Sequence, residues 1–66
     1  MASVAIVART NVNGLEYLVR KSRGIEWASA EQDAEHFLNM REATRAAMQA
    51  PARFRAFALP ASVGLA

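Results

Sequence analysis

Asn13-Gly14 lies between two stretches of alternating apolar character, and no other feature of the chain restricts its fold as much. Both residue types tolerate positive φ, so the pair favours a tight two-residue turn that folds one strand back on another. The flanking residues read as strands over 4–12 and 15–23. A two-residue loop pairs Val12 with Leu15, Thr10 with Tyr17, Ala8 with Val19 and Ile6 with Lys21. Because side chains alternate across a sheet, such a hairpin sorts them into two faces. Val4, Ile6, Ala8, Val12, Leu15, Tyr17 and Val19 make up one face, which the pattern assigns to the core. Ala5, Val7, Arg9, Asn11, Glu16, Leu18, Arg20 and Ser22 make up the other.

Gly24 ends the second strand, and Ser29 with Gln32 three residues later has the form of a capping box. The spacing that follows predicts a helix over 30–50. Its packing face holds Ala30, Ala34, Phe37, Met40, Thr44, Ala47 and Met48. Acidic residues crowd its start, Arg41 and Arg45 come later in keeping with the helix dipole, and Pro51 stops it. Residues 53–59 alternate as a third strand, with Phe54, Ala56 and Ala58 on one side and Arg53, Arg55, Phe57 and Leu59 on the other. Pro60 ends pairing, and 61–66 reads as a flexible tail. The helical link between the second and third strands calls for a right-handed crossover. The fold expected is therefore α+β, a ββαβ unit in one small domain. It has a three-stranded sheet in the order 2-1-3, one helix on one face, and an ordered core over about residues 3–60.

A chain of 66 residues buries little, and 15 of its apolar residues are alanine. Cysteine is absent, which closes the disulfide route and a Cys-based zinc site. Stability on so thin a core calls for a partner or a second copy. No run approaches the roughly 20 apolar residues that span a bilayer, and the start carries no charge ahead of its apolar stretch. The chain thus reads as soluble and cytoplasmic.

Catalytic material is scarce. His36 is the only histidine, and with Asp33 it supplies two ligands at most, so no metal is expected. Glu31 and Glu35 belong to the solvated side of the expected helix. No serine or threonine has an evident base and orienting group, and Gly14, Gly24 and Gly64 stand apart rather than in a phosphate-binding loop. No enzyme activity, cofactor or small-molecule substrate is expected. Trp27 reads as a structural lid over the helix start, and Met40 and Met48 as core filling.

What remains is binding. With the helix on one side, the sheet's other side would carry Val7, Arg9, Leu18, Arg20, Arg53, Arg55, Phe57 and Leu59. Apolar anchors among arginines are the usual make-up of a protein interface, for a partner protein or a homodimer. The same arginines, with Phe57 to stack on a base, suit a nucleic acid as the alternative. The net charge of +2 is concentrated on the expected strands, since the expected helix is acidic.

The stretch from Tyr17 to Ala43, with Tyr17, Arg20, Trp27, Ala34, Phe37 and Glu42-Ala43, resembles a pattern found in small phage and prophage accessory proteins. The resemblance implies a non-enzymatic protein that acts by binding, for instance by blocking a host defence complex such as a CRISPR effector. The chain is net positive, unlike the acidic DNA-mimicking inhibitors of that kind, which leaves direct docking as the implied mode.

Overall fold

The computed structural model describes residues 4–61. It contains strands β1 (Ala5–Asn11), β2 (Gly14–Lys21), β3 (Gly24–Ala28) and β4 (Phe57–Pro60), with one α-helix, α1 (Met40–Gln49). The sheet is antiparallel throughout, in the order β3-β2-β1-β4, and α1 packs on one face. The α+β class and the single packed helix therefore hold. The three-stranded sheet of order 2-1-3 does not, because residues 24–28 add a fourth strand outside β2. That strand also displaces the expected crossover: the helical link now joins β3 to β4, two antiparallel strands at opposite edges.

Both hairpins use the same turn chemistry. Asn11 pairs with Gly14 across Val12-Asn13, and Lys21 pairs with Gly24 across Ser22-Arg23. Gly14 and Gly24 have φ of 120° and 125°, whereas Arg55 is the only other described residue with positive φ. A type I′ turn needs positive φ at both central residues, so neither turn is of that type. Instead the glycine follows the turn, where only glycine adopts that backbone without strain. The Asn11 side chain accepts the Asn13 N–H at 2.8 Å, which fixes the first turn one residue earlier than expected. Ala8 consequently pairs with Tyr17 rather than Val19, and Thr10 with Leu15. Each partner moves by two residues, so the two side-chain sets stay intact.

The expected helix over 30–50 is realised only in its second half. Glu31–Asp33 form a short 3-10 turn, and Ala34 turns extended. β1 and β2 pair only between Ala8–Asn11 and Gly14–Tyr17, and past that point the following residues enter the gap between them. There the Glu35 N–H donates to the Leu18 carbonyl at 3.0 Å, while Phe37 exchanges both backbone hydrogen bonds with Ala5. Satisfying those strand-edge groups outweighs the helix propensity of this segment. The capping box at Ser29 is not used; Asn39 caps α1, accepting the Glu42 N–H at 2.9 Å. After α1, a 3-10 turn at Ala52–Phe54 and a left-handed Arg55 (φ 53°) break the strand expected over 53–59, which starts at Phe57. Ala61 extends the edge by donating to the Val4 carbonyl at 2.9 Å; the rest of the expected tail lies outside the described residues.

The core sits between α1 and the sheet face bearing Ala5, Val7 and Leu18, with Phe37, Ala43, Ala46 and Ala47 above them. This reverses the expected faces. Val7 and Leu18 are fully buried under the helix, and the set assigned to the core faces away from it. The helix is turned correspondingly: alanines 43, 46, 47 and 50 are buried, while Met40 and Met48 point outward, Met48 at 79% exposure. Trp27 lies on β3 rather than over the helix start and packs against the same core.

Candidate partner-binding surface

The helix-side face carries its own charges in closed pairs. Arg9 and Glu16 are direct cross-strand partners, and the guanidinium donates to one Glu16 oxygen through Nε (2.9 Å) and Nη2 (2.7 Å). The same guanidinium lies 4.6 Å from the Trp27 ring centroid and 4.9 Å from that of Phe54. Trp27 and Phe54 meet edge-on at 5.4 Å, and Arg53 stacks on Phe54 at 4.8 Å. Arg9 thus fills the aromatic slot itself. The Trp27 Nε1 is buried there without a hydrogen-bond partner.

Arg20 closes the other end of this face. Its guanidinium grips Glu35 with Nη2–Oε2 at 2.7 Å and lies over the Phe37 ring at 5.0 Å, while its backbone N–H donates to Glu35 Oε1 at 3.0 Å. These hydrogen bonds, above all those from the guanidinium, hold the Glu35 carboxyl below its ordinary range, against a smaller opposing effect of burial. The hydrogen bond to Glu35 likewise raises the Arg20 guanidinium.

The eight residues expected to form one surface are therefore divided. Val7 and Leu18 are core. Arg9 and Arg20 lie on the helix side, bound to glutamates, and Arg53 rests on Phe54. Arg55 occupies the bend before β4. Phe57 and Leu59 alone lie on the uncovered face, because they pair with Ala8 and Ile6.

That uncovered face is made of Val4, Ile6, Ala8, Leu15, Tyr17 and Val19, joined by Phe57 and Leu59 from β4 and by Ala28 from β3. Ile6 and Ala8 at its centre are 1% and 0% exposed, with Leu59 beside the first and Tyr17 and Phe57 beside the second. Val4, Leu15 and Phe57 around them are exposed, while Tyr17, Val19 and Leu59 are half-buried. Strand alternation brings Lys21 and Glu26 to this face near one corner of the β2–β3 pair, Asp33 borders the same corner, and exposed His36 falls on this side by alternation with core-facing Phe37. The result is an apolar sheet surface whose charges gather at one corner. A second, narrower apolar strip runs along the outer ridge of α1, where Met40, Thr44 and Met48 are flanked by Arg41, Arg45 and Gln49.

Alternation in the strands already defined the membership of the uncovered face; what it missed was β4's alignment and the side that α1 takes. The Arg9 slot escaped because it needs β3, whose signal was a second glycine three residues past a strand end, at Gly24. Among the described residues, no three His, Cys, Asp or Glu side chains gather as metal ligands, and no helix is long and apolar enough to cross a membrane. Compared with known proteins, the chain matches no family model, no curated protein and no solved structure.

Proposed function

We propose that this is a small non-enzymatic interaction protein of the cytoplasm that works by docking on a partner protein through the uncovered face of its sheet. The observation that carries this reading is the distribution of apolar bulk. The covered face buries Ala5, Val7, Leu18 and Phe37 under a helix of alanines, whereas the uncovered one leaves Leu15 and Phe57 exposed and Tyr17, Val19 and Leu59 half-buried. A contiguous apolar patch of that kind is the mark of a contact surface. Blocking a host defence complex, as the phage-accessory resemblance implies, is one form that such docking takes.

The nucleic-acid alternative loses ground for a specific reason. Of its four arginines, Arg9 and Arg20 lie on the helix side held by Glu16 and Glu35, Arg53 rests on Phe54 and Arg55 sits in the bend before β4, so they do not share one face with Phe57. Phosphate binding draws on exposed cations, and the uncovered face offers Lys21 beside Glu26.

A photoreactive phenylalanine analogue in place of Phe57 tests the reading in cells. Cross-links to protein are expected from position 57 and should survive high salt. If position 57 yields none, or yields nucleic-acid adducts that vanish steeply as salt rises, docking through this face is wrong.

A further inference from the structure

The chemistry of the uncovered face also indicates what covers it. We infer that the sheet face bearing Leu15, Tyr17, Val19, Phe57 and Leu59 packs against the same face of a second copy of this chain, a proposal that rests on the docking reading above. Three features favour a second copy over a partner of different composition.

The first is charge. A surface that packs on itself must avoid meeting its own sign, and like charges brought together oppose association. The charges of this face, Lys21 and Glu26 with Asp33 beside them, gather at one corner, so the apolar remainder can meet a second copy without bringing like charges together. Arg9 and Arg20 lie on the helix side of the sheet, Arg41 and Arg45 on α1, Arg53 and Arg55 around the bend before β4, and Arg23 in the turn between β2 and β3.

Area is the second. Four strands spaced about 4.8 Å apart, each roughly 15–25 Å long, present on the order of 400–600 Å² per copy once side chains are included. A symmetric pair would bury about 1,000 Å² in total, at the threshold of a specific interface. Two such faces are matched in size by construction, and two antiparallel sheets stacked with aligned strands interdigitate their side chains in the manner of a sandwich core.

The third is stability. The largest fully buried side chains are Ile6, Leu18 and Val7. Ile6 and Ala8 already lie at the floor of the uncovered face, so a second copy would convert their surroundings into a second core. Small domains without disulfides commonly rely on association of this kind.

Sedimentation equilibrium and thermal unfolding across about a hundredfold range of concentration provide the test. A dimer is expected, with an unfolding midpoint that rises with concentration because association draws on the folded state alone. Leu15→Glu and Phe57→Glu should each give a monomer with an unchanged circular dichroism spectrum and a midpoint independent of concentration, while Met48→Glu on the outer helix ridge remains dimeric. Should either glutamate variant fail to fold, spin labels replace it, since the chain has no cysteine to interfere. Labels at Leu15→Cys should lie closer between copies than labels at Met48→Cys. The reverse order of distances, or a dimer lost only in Met48→Glu, overturns this geometry. A wild type that is monomeric throughout, yet cross-links from position 57 to another protein, removes the second copy and leaves the docking reading standing. Monomeric behaviour with no cross-link at all removes both.

Discussion

Besides its backbone hydrogen bonds, the wedge between β1 and β2 is pinned by one carboxylate, so Glu35 is where the fold can be probed directly. Glu35 holds Arg20 by its guanidinium and by its backbone N–H, and both bonds secure the segment that carries Phe37 to Ala5. An exposed ion pair is worth about 0–1 kcal/mol. Here the Arg20 side chain is 47% exposed and that of Glu35 28%, so solvent screening keeps the pair near about 1 kcal/mol. The bond to the strand N–H adds about 0.5–1 kcal/mol. Glu35→Ala removes both and should cost about 1.5–2 kcal/mol. Glu35→Gln keeps an acceptor for the N–H and should cost about 1 kcal/mol, a fall in midpoint of about 4–8 °C for a domain of this size.

The pH dependence of that loss has a definite sign. Pairing lowers the Glu35 pKa in the folded state, while the unfolded chain titrates near about 4.3. A depressed carboxyl contributes stability that is complete above the unfolded value and fades as pH falls through the folded one. The raised Arg20 pKa contributes below its unfolded value, hence across the whole working range. The gap between wild type and Glu35→Gln should therefore be full at pH 7 and shrink below about pH 4. Urea unfolding at fixed protein concentration, followed by circular dichroism at pH 7 and pH 3, measures both. Equal stabilities at pH 7, or a gap that persists unchanged at pH 3, would refute the clamp.

Two further outcomes follow from burial and backbone geometry. Leu18 is fully buried beneath α1, so Leu18→Ala should cost about 2–5 kcal/mol and leave little cooperative unfolding in a thermal melt; a small change in midpoint would place Leu18 outside the core. Gly14→Val and Gly24→Val should each destabilise by more than about 1 kcal/mol in urea, because no atom crowds either site but a β-branched residue resists φ near +120°. Neutral results would show that the turns are not built as described.

Much of the fold was legible in local patterns. Within β1 and β2 alternation separated the two side-chain sets, since the turn's actual position moved each partner by two residues and left the sets alone, but Val12 and Ser22 fall in the turns and belong to neither. The last strand's position beside β1 was legible too, from the apolar character of β1. Three other features depend on contacts that periodicity cannot carry. Residues 30–38 satisfy a helical pattern, yet the exposed edges left by the β1–β2 split draw them into extended pairing. The Asn39–Glu42 cap was visible only once the helix was allowed to begin late. Left-handed Arg55 interrupts a stretch that alternates like a strand, and arginine gives no local hint of that backbone. The candidate site suffered most, because Phe57 and Leu59 reached the uncovered face while Arg9, Arg20, Val7 and Leu18 went beneath the helix.

The reversal of faces has a physical cause that bears on function. Alternation yields two apolar sets and cannot say which one a helix will cover, but the shape of the helix can. α1 turns Ala43, Ala46, Ala47 and Ala50 toward the sheet. Such a helix makes its contacts by approaching closely, and close approach requires small or flat side chains opposite. Ala5, Val7, Ala56 and Ala58 meet that requirement; Tyr17, Val19, Phe57 and Leu59 would hold the helix off and leave voids beside its alanines. The alanines therefore settle over Ala5, Val7, Ala56 and Ala58, with Leu18, Phe37 and Trp27 completing that core, and leave Tyr17, Phe57 and Leu59 on the other side. Full burial of a large apolar side chain is worth about 1.5–3 kcal/mol, so a lone chain forgoes several such contributions by this choice. They are recovered only if something apolar and of matching size covers the sheet, and the same face of a second copy meets both conditions.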